Sequence, residues 1–188
     1  MNVADEIFAI FTRRGSSAYF GERVSMTEHG LQTAYFAQQE GAPAQLVLAA
    51  LLHDIGHLVQ DAPADIVDWT VDARHEEIGS RWLAQRFGPE FADPVRLHVS
   101  AKRYLCATDP TYFAKLSDAS VQTLKLQGGP MSQAEVAAFG AERFFRDAVR
   151  VRQWDDRGKV AGLATPSLTE YRGLIEDQSR HRIAQLAP

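Results

Sequence analysis

The sequence predicts an all-α protein, a single helical bundle over residues 1–188. Alternation of apolar and polar residues, which marks strands, nowhere persists for more than a few positions. Helix start and stop signals instead recur along the whole chain. No linker divides the chain, and its length of 188 residues suits one hydrophobic core.

The predicted helices follow these signals in order. A capping box from Ser25 to Glu28 starts a helix that runs to about Gln39 and ends before Gly41 and Pro43. Later helices are predicted at about residues 44–59, 73–87, 91–104, 118–127 and 142–154, with capping boxes at Ser132 and Ser167 starting two more, the last running towards Leu186. Residues 60–72 and 156–166 are predicted to be loops.

Composition limits the possible functions. A formal net charge of −4, from 24 acidic and 20 basic residues, argues against a nucleic-acid partner. The single cysteine, Cys106, excludes an internal disulfide framework and cysteine-cluster metal sites. The longest apolar run has seven residues, at 46–52, whereas a membrane span needs about 20. Because the first residues also lack the pattern of a signal peptide, we expect a cytoplasmic protein without a membrane partner.

The helix predicted at residues 44–59 is apolar around nearly its whole circumference, which is typical of a buried helix. His53, Asp54 and His57 nevertheless lie in its last two turns. A buried carboxylate costs roughly several kcal/mol unless it is paired or binds a metal. Adjacent side chains on a helix diverge by about 100°, so His53 and Asp54 suit a metal cluster better than one symmetric ion. The simpler interpretation is a hydrogen-bonded Asp54 beside an ordinary core histidine.

Four histidines lie 22 to 24 residues apart, one on each of four successive predicted helices: His29, His53, His75 and His98. Facing helices of a bundle can direct such side chains to one interior point, and Asp155 follows the helix predicted at residues 142–154. Nitrogen and oxygen ligands without sulfur suit iron, manganese or zinc, and this set is large enough for two ions. Taken singly, His75 also fits a surface position and His98 an ordinary helix position. His181 lies in a polar segment and is predicted to be solvated.

The spaced His29, His53-Asp54 and Asp155 pattern resembles the HD-domain superfamily of all-helical metalloproteins, most of which are phosphohydrolases. With His75 and His98 added, the chain is more specifically similar to the mixed-valent di-iron HD oxygenases. These include inositol oxygenase and the PhnZ-type enzymes that cleave organophosphonates. The PhnZ-type similarity covers most of the chain, from Tyr19 to Lys159. It implies an HD-domain bundle with two iron ions, Fe(II) and Fe(III), in its core, and O2 as co-substrate.

The resemblance also implies the metal ligands. One iron would be bound by His29, His53 and Asp155. The second would be bound by His75 and His98, and the carboxylate of Asp54 would bridge the two. Because Asp156 is adjacent to Asp155, either one could be the last ligand.

Further matches concern the substrate. Tyr19 and Glu22 match a tyrosine that occupies the open iron position until substrate arrives and a glutamate that assists this exchange. Lys102 matches a phosphonate-binding lysine, and the other positions implied to contact the phosphonate are His57, Ser120, Thr123 and Arg152. Each has a simpler alternative. Tyr19 would then be an aromatic residue at an interface and Glu22 a solvated carboxylate. Lys102 and Arg152 would be ordinary surface residues.

The implied reaction is O2-dependent cleavage of the C–P bond of a 1-hydroxy-2-(amino or trimethylammonio)ethylphosphonate, giving phosphate and glycine or glycine betaine. The partner is therefore a small organophosphonate. The candidates to recognise its amino or trimethylammonio group are Glu22, Tyr19 and Tyr104. Two alternatives stay open. An HD-type metal-dependent phosphohydrolase would attack a nucleotide or phosphate ester with metal-activated water, and it leaves Tyr19 and Glu22 without a role. The other alternative is a non-catalytic helical binding module with a structural metal.

Overall fold

The computed structural model describes residues 2–60 and 74–186, with side chains up to residue 180 and that of Arg182. The described part contains ten α-helices: α1 Val3–Arg14, α2 Met26–Gln39, α3 Ala44–Leu51, α4 Ile55–Val59, α5 His75–Phe87, α6 Pro89–Thr108, α7 Asp118–Leu126, α8 Gln133–Gly140, α9 Phe145–Arg157 and α10 Arg172–Leu186. Short 3-10 helices lie at Phe113–Lys115 and Leu168–Tyr171. The predicted all-α class is confirmed, because the described residues form no strand, only an isolated bridge between Ala18 and Ser25.

Helix α3 lies at the centre of the core. Every residue from Leu46 to Leu52 is buried, as its apolar circumference predicts. Helices α2, α6 and α9 pack around α3, while α5 packs against α4 and α6. Removal of this apolar surface from water is the main stabilising contribution to the bundle. None of the described helices is long and apolar enough to cross a membrane.

Local signals located several helix ends correctly. The Ser25 hydroxyl accepts a hydrogen bond from the Glu28 backbone N–H at 3.2 Å, and the Glu28 carboxylate accepts one from the Ser25 N–H at 2.7 Å. Ser132 begins α8 with the same arrangement. Helix α6 is longer than predicted at both ends. It begins at Pro89, a position where the missing N–H costs no hydrogen bond, and it continues to Thr108.

The prediction of one continuous helix over residues 44–59 is wrong. Helix α3 ends at Leu51 and α4 begins at Ile55, with Asp54 in the bridge region at φ −100° and ψ 12°. The Ile55 and His57 N–H groups donate to the carbonyls three residues earlier, each at 3.0 Å, so the connection is a tight turn. This turn lets the side chains of His53 and Asp54 converge, which a regular helix would prevent.

Other differences lie outside the central helix. Helix α1 was not predicted, although Asn2 caps it and Asp5 and Glu6 lie in its first turn. Helix α9 runs to Arg157, two residues into the predicted loop at 156–166. The predicted loop at 60–72, beyond Gln60, and the predicted solvation of the His181 side chain lie outside the described residues.

Candidate metal centre and substrate site

Four helices and the turn between α3 and α4 bring four imidazoles and two carboxylates to one buried point. The two oxygens of Asp54 face opposite sides of it. Oδ2 lies 3.6 Å from His29 Nε2 and 3.4 Å from His53 Nε2. Oδ1 lies 3.2 Å from His75 Nε2 and 3.6 Å from His98 Nε2. Asp54 therefore joins two groups of three residues, each able to hold an ion.

The orientation of the rings is set from their outer nitrogens. Nδ1 of His29, His53 and His98 lies 2.8, 2.8 and 2.6 Å from the backbone carbonyls of Gly158, Ala50 and Val95, respectively. A carbonyl only accepts, so each Nδ1 carries the proton and donates, and each Nε2 presents its lone pair inward. His75 Nδ1 lies 3.6 Å from the Glu76 carboxylate, which can act in the same way. Such outer contacts are those that orient metal-binding histidines.

The neutral imidazoles of His29 and His53 present acceptor nitrogens to another acceptor, Asp155 Oδ1. Nε2 of His29 lies 3.1 Å from Nε2 of His53 and 3.3 Å from Asp155 Oδ1, which is buried and has no hydrogen-bond partner among the described residues. Burial by itself lowers the pKa of His53, but the charges of Asp54 and Asp155 raise that pKa to about 9. The centre thus favours positive charge. Since the candidate metal-ligand atoms of the centre are nitrogen and oxygen, the described residues fit two transition-metal ions.

The last carboxylate of the centre is Asp155 rather than Asp156. Asp156 accepts hydrogen bonds from Arg152 and from the hydroxyl of Tyr112, away from the imidazoles. Arg152 is buried; its Nη1 forms an ion pair with Asp155 Oδ2 at 2.8 Å, and its Nε donates to the Tyr112 oxygen at 3.0 Å. Arg152, implied to contact the phosphonate, therefore pairs instead with two carboxylates of the chain itself, those of Asp155 and Asp156. Its remaining contact, from Nη2 to the Ser120 hydroxyl, is 3.4 Å long.

Tyr19 and Glu22 lie on a hairpin against the first histidine. The Glu22 N–H donates to the Tyr19 carbonyl at 2.7 Å, and the two residues between them, Phe20 and Gly21, both have positive φ values of 44° and 77°. The Tyr19 ring stacks on His29, with centroids 3.8 Å apart and planes 19° apart. Burial, then the charges of Asp54 and Asp155, raise the pKa of Tyr19 well above its usual value. Its ring is therefore held beside the metal centre with the hydroxyl in the protonated form.

The residues predicted to contact a phosphonate form a cluster along α7. Lys102, 2 % exposed, donates from Nζ to the Thr123 hydroxyl at 2.8 Å. Ser120 lies one turn earlier on the same face of α7 and accepts from Lys159 Nζ at 3.0 Å. Burial and then the charge of Arg152 lower the pKa of Lys102 to about 7.

Two other candidates occupy different surroundings. His57 stacks on His75 with ring centroids 4.0 Å apart and meets the Phe20 ring edge-on at 4.6 Å, so it lies beside the second histidine pair. Tyr104, a candidate for recognising a cation, instead packs against Phe139 and Phe145 in a separate apolar cluster. A cavity of about 650 Å³ opens beside the hairpin, and its lining includes Phe20, Gly21, Glu22, Leu116, Asp118 and Gln122.

Sequence reasoning missed three residues of this site: Lys159, Tyr112 and Glu76. Lys159 had only a weak signal, because the chain has only four lysines and Lys159 lies four residues after Asp155. Tyr112 and Glu76 had none, since their roles depend on which helix faces which.

A helical core that gathers an adjacent His-Asp pair with histidines from three further helices defines an HD-domain metalloprotein. A family model described as HD domain matches residues 26–132, more than half of the chain, and the chain belongs to this family.

Two curated relatives make the assignment more specific. The chain is 45% identical over 175 residues to a 1-hydroxy-2-(trimethylamino)ethylphosphonate dioxygenase (glycine-betaine-forming) from Leisingera caerulea, covering 93% of this chain and 89% of the relative. It is 41% identical over 176 residues to a hydroxymethylphosphonate dioxygenase from Gimesia maris, covering 93% and 87%. The resemblance to organophosphonate-cleaving oxygenases is thus confirmed, and the oxygenase interpretation is favoured over the hydrolytic and non-catalytic ones.

Proposed function

We propose that this protein is a di-iron dioxygenase that cleaves the C–P bond of a 1-hydroxy-2-(amino or trimethylammonio)ethylphosphonate to give phosphate and glycine or glycine betaine. The observation that carries the proposal is the division of Asp54 between two histidine pairs in a chain similar over 93% of its length to phosphonate dioxygenases. Two-metal sites also serve hydrolases, so the relatives decide in favour of the oxygenase. The names of the two relatives support phosphonate as the substrate class. Substrate and one O2 together contain the atoms of the acid and phosphate, so the reaction needs no external reductant.

The ligands of the two ions follow from the histidine pair that each carboxylate oxygen of Asp54 faces. The first ion would be held by His29, His53 and Asp155, the second by His75 and His98, and both by Asp54. An Fe(II)/Fe(III) pair bound there would supply the activation of O2 and the electron transfer that the substrate requires.

The chain itself would prepare the substrate for this chemistry. Tyr19 covers His29 with its ring, so it would occupy space that the substrate needs beside the first ion. Substrate entry therefore requires the Tyr19–Glu22 hairpin to shift. In the shifted position, the aromatic rings of Tyr19 and Phe20 would remain beside the substrate and exclude water from the reacting carbon.

The phosphonate would bind along α7, next to the centre. Lys102 is buried and its pKa of about 7 leaves its charge poorly stabilised in the free protein. A phosphonate dianion beside Nζ restores the charged form and gains a charge-assisted hydrogen bond. Thr123 and Ser120 add hydroxyl donors, while Arg152 keeps Asp155 aimed at the first ion.

Iron reconstitution tests this function. The protein is loaded anaerobically with iron, partly oxidised and examined by low-temperature EPR, where a coupled mixed-valent signal is expected. Phosphate release from the hydroxylated phosphonates should require O2 and consume one O2 per phosphate. His75→Ala should bind one iron and lose this activity. Activity on phosphate esters with manganese or magnesium and without O2 would instead establish the hydrolytic alternative.

A further inference from the structure

We propose that Gln32 is a positioning residue of the metal centre. Its side-chain amide holds the backbone of Val160 and, through that backbone, the Gly158 carbonyl that orients His29. This inference rests on the metal centre of the proposed function and deepens it, because Gln32 would act on the first ion only through His29.

Gln32 lies one turn after His29 on α2, and its side chain is nearly fully buried, at 1% exposure. Both polar ends of its amide pair with one residue. Nε2 donates to the Val160 carbonyl at 2.8 Å, and Oε1 accepts from the Val160 N–H at 2.9 Å. Two opposed bonds of this kind fix a residue as firmly as an antiparallel neighbour does. The Val160 side chain is 49% exposed, so its packing contributes little to holding this segment.

The connection from Val160 to His29 passes through Gly158, whose carbonyl accepts from His29 Nδ1 at 2.8 Å. A Cβ atom on Gly158 would lie 2.6 Å from Thr33 Oγ1 and 3.2 Å from His29 Nδ1, so this close approach requires glycine. Glycine also has the greatest backbone freedom, and Gly158 follows the last residue of α9. The direction of its carbonyl therefore needs a fixed point further along the chain, which Gln32 supplies at Val160.

His29 differs in this respect from the other two rings that donate to carbonyls. His53 and His98 donate to residues three positions earlier, which belong to helices α3 and α6. The Gly158 carbonyl is 129 residues from His29 along the chain and lies in the connection that follows α9. Loss of the Gln32 amide should therefore release the ring of His29 and leave the other two rings in place.

The test replaces Gln32 by methionine, which has a similar length and volume but makes neither hydrogen bond. The protein is loaded with zinc, a diamagnetic ion that suits the same ligands, and NMR measures how fast each Nδ1 proton exchanges with water. In Gln32→Met the His29 proton should exchange about 10- to 100-fold faster, the effect of losing two ordinary hydrogen bonds. The protons of His53 and His98 should keep their parental rates. Gln39→Met, at the exposed last residue of α2, is the matched control and should change none of the three.

Iron binding provides the second measurement. Under anaerobic competition with a chelator, Gln32→Met should bind one of the two iron ions about 10- to 100-fold more weakly, as expected for loss of an outer contact to a metal ligand. The other ion should keep its parental affinity. Equal weakening of both ions, or equal acceleration of all three histidine protons, would indicate a general loosening of the fold and overturn the proposal.

If Gln32→Met fails to fold, the parent protein itself carries the test. In the zinc-loaded parent the Val160 amide proton and the His29 Nδ1 proton should exchange through the same local opening, at lower free energy than the protons of His53 and His98. A His29 proton that stays protected while Val160 exchanges would refute the connection.

The role of Gln32 and the proposed function can fail separately. Parental exchange rates and parental iron affinity in Gln32→Met would remove the role of Gln32 and leave the proposed function intact. If the iron-loaded parent releases no phosphate from the hydroxylated phosphonates with O2, the proposed function fails, and the exchange rates still decide the role of Gln32.

Discussion

The substitution Gly56→Ala tests how the second ion depends on the crossing of α4 and α5. A Cβ atom at residue 56 would lie 1.9 Å from the His75 carbonyl oxygen and 2.9 Å from the Gly79 nitrogen. Ordinary contact begins at 3.4 Å, so the two helices must separate by about 1.5 Å. If His75 carries this shift, its Nε2 moves from 3.2 Å to about 4.7 Å from Asp54 Oδ1, beyond the roughly 4.2 Å that two metal–ligand bonds of about 2.1 Å can span.

We therefore expect Gly56→Ala to retain the first ion and lose the second, as counted by elemental analysis of the purified protein. Overpacking of this kind costs about 1–3 kcal/mol, which for a protein of this size lowers Tm by roughly 2–12 °C. Gly173→Ala, on α10, is the control because its Cβ meets no atom within 4 Å and alanine favours the helix. Two bound ions and a parental Tm in Gly56→Ala would refute the steric argument.

Three other variants test separate parts of the site. Asp54→Asn should lose both ions whereas Asp156→Asn keeps them, as elemental analysis will reveal, because Asp54 faces the imidazoles and Asp156 does not. Tyr19→Phe keeps the ring on His29 but loses the hydroxyl, so the EPR spectrum of the iron should change while Tm stays nearly constant. Unchanged spectra and turnover would count against that role. With a pKa of about 7, Lys102 is mostly neutral at pH 8, so methylphosphonate binding at pH 8 should take up close to one proton more in the parent protein than in Lys102→Arg. Calorimetry in two buffers of different ionisation enthalpy measures this difference, in which the ligand's own release of protons cancels, and equal uptake in the two proteins would contradict it.

The parts of the fold that depend on neighbouring residues were predictable from the sequence. The Ser25 capping box requires only residues three apart, and it forms as predicted. The buried course of α3 followed from its apolar circumference. The even spacing of the histidines indicated one ring from each of several helices, and the structure brings these rings together.

Features that depend on how helices meet were not predictable. Periodicity cannot reveal that the helix breaks at Asp54, because the residues on either side are equally apolar and contain no proline. Asp155 and Asp156 are chemically identical, and only the rotation of α9 directs one to His29 and the other to Tyr112. Arg152 carries the expected charge, but its donors face Asp155 rather than open space.

Three of the four imidazoles are oriented by main-chain oxygens, and two of those, at Ala50 and Val95, belong to the turn just before the ring. A carbonyl is the same whatever side chain its residue carries. Substitution of the residues around these histidines can therefore leave the tautomers of the rings unchanged, provided that the backbone conformation is retained. Insertions, deletions or new prolines near positions 50 and 95 are the changes that such an arrangement tolerates least.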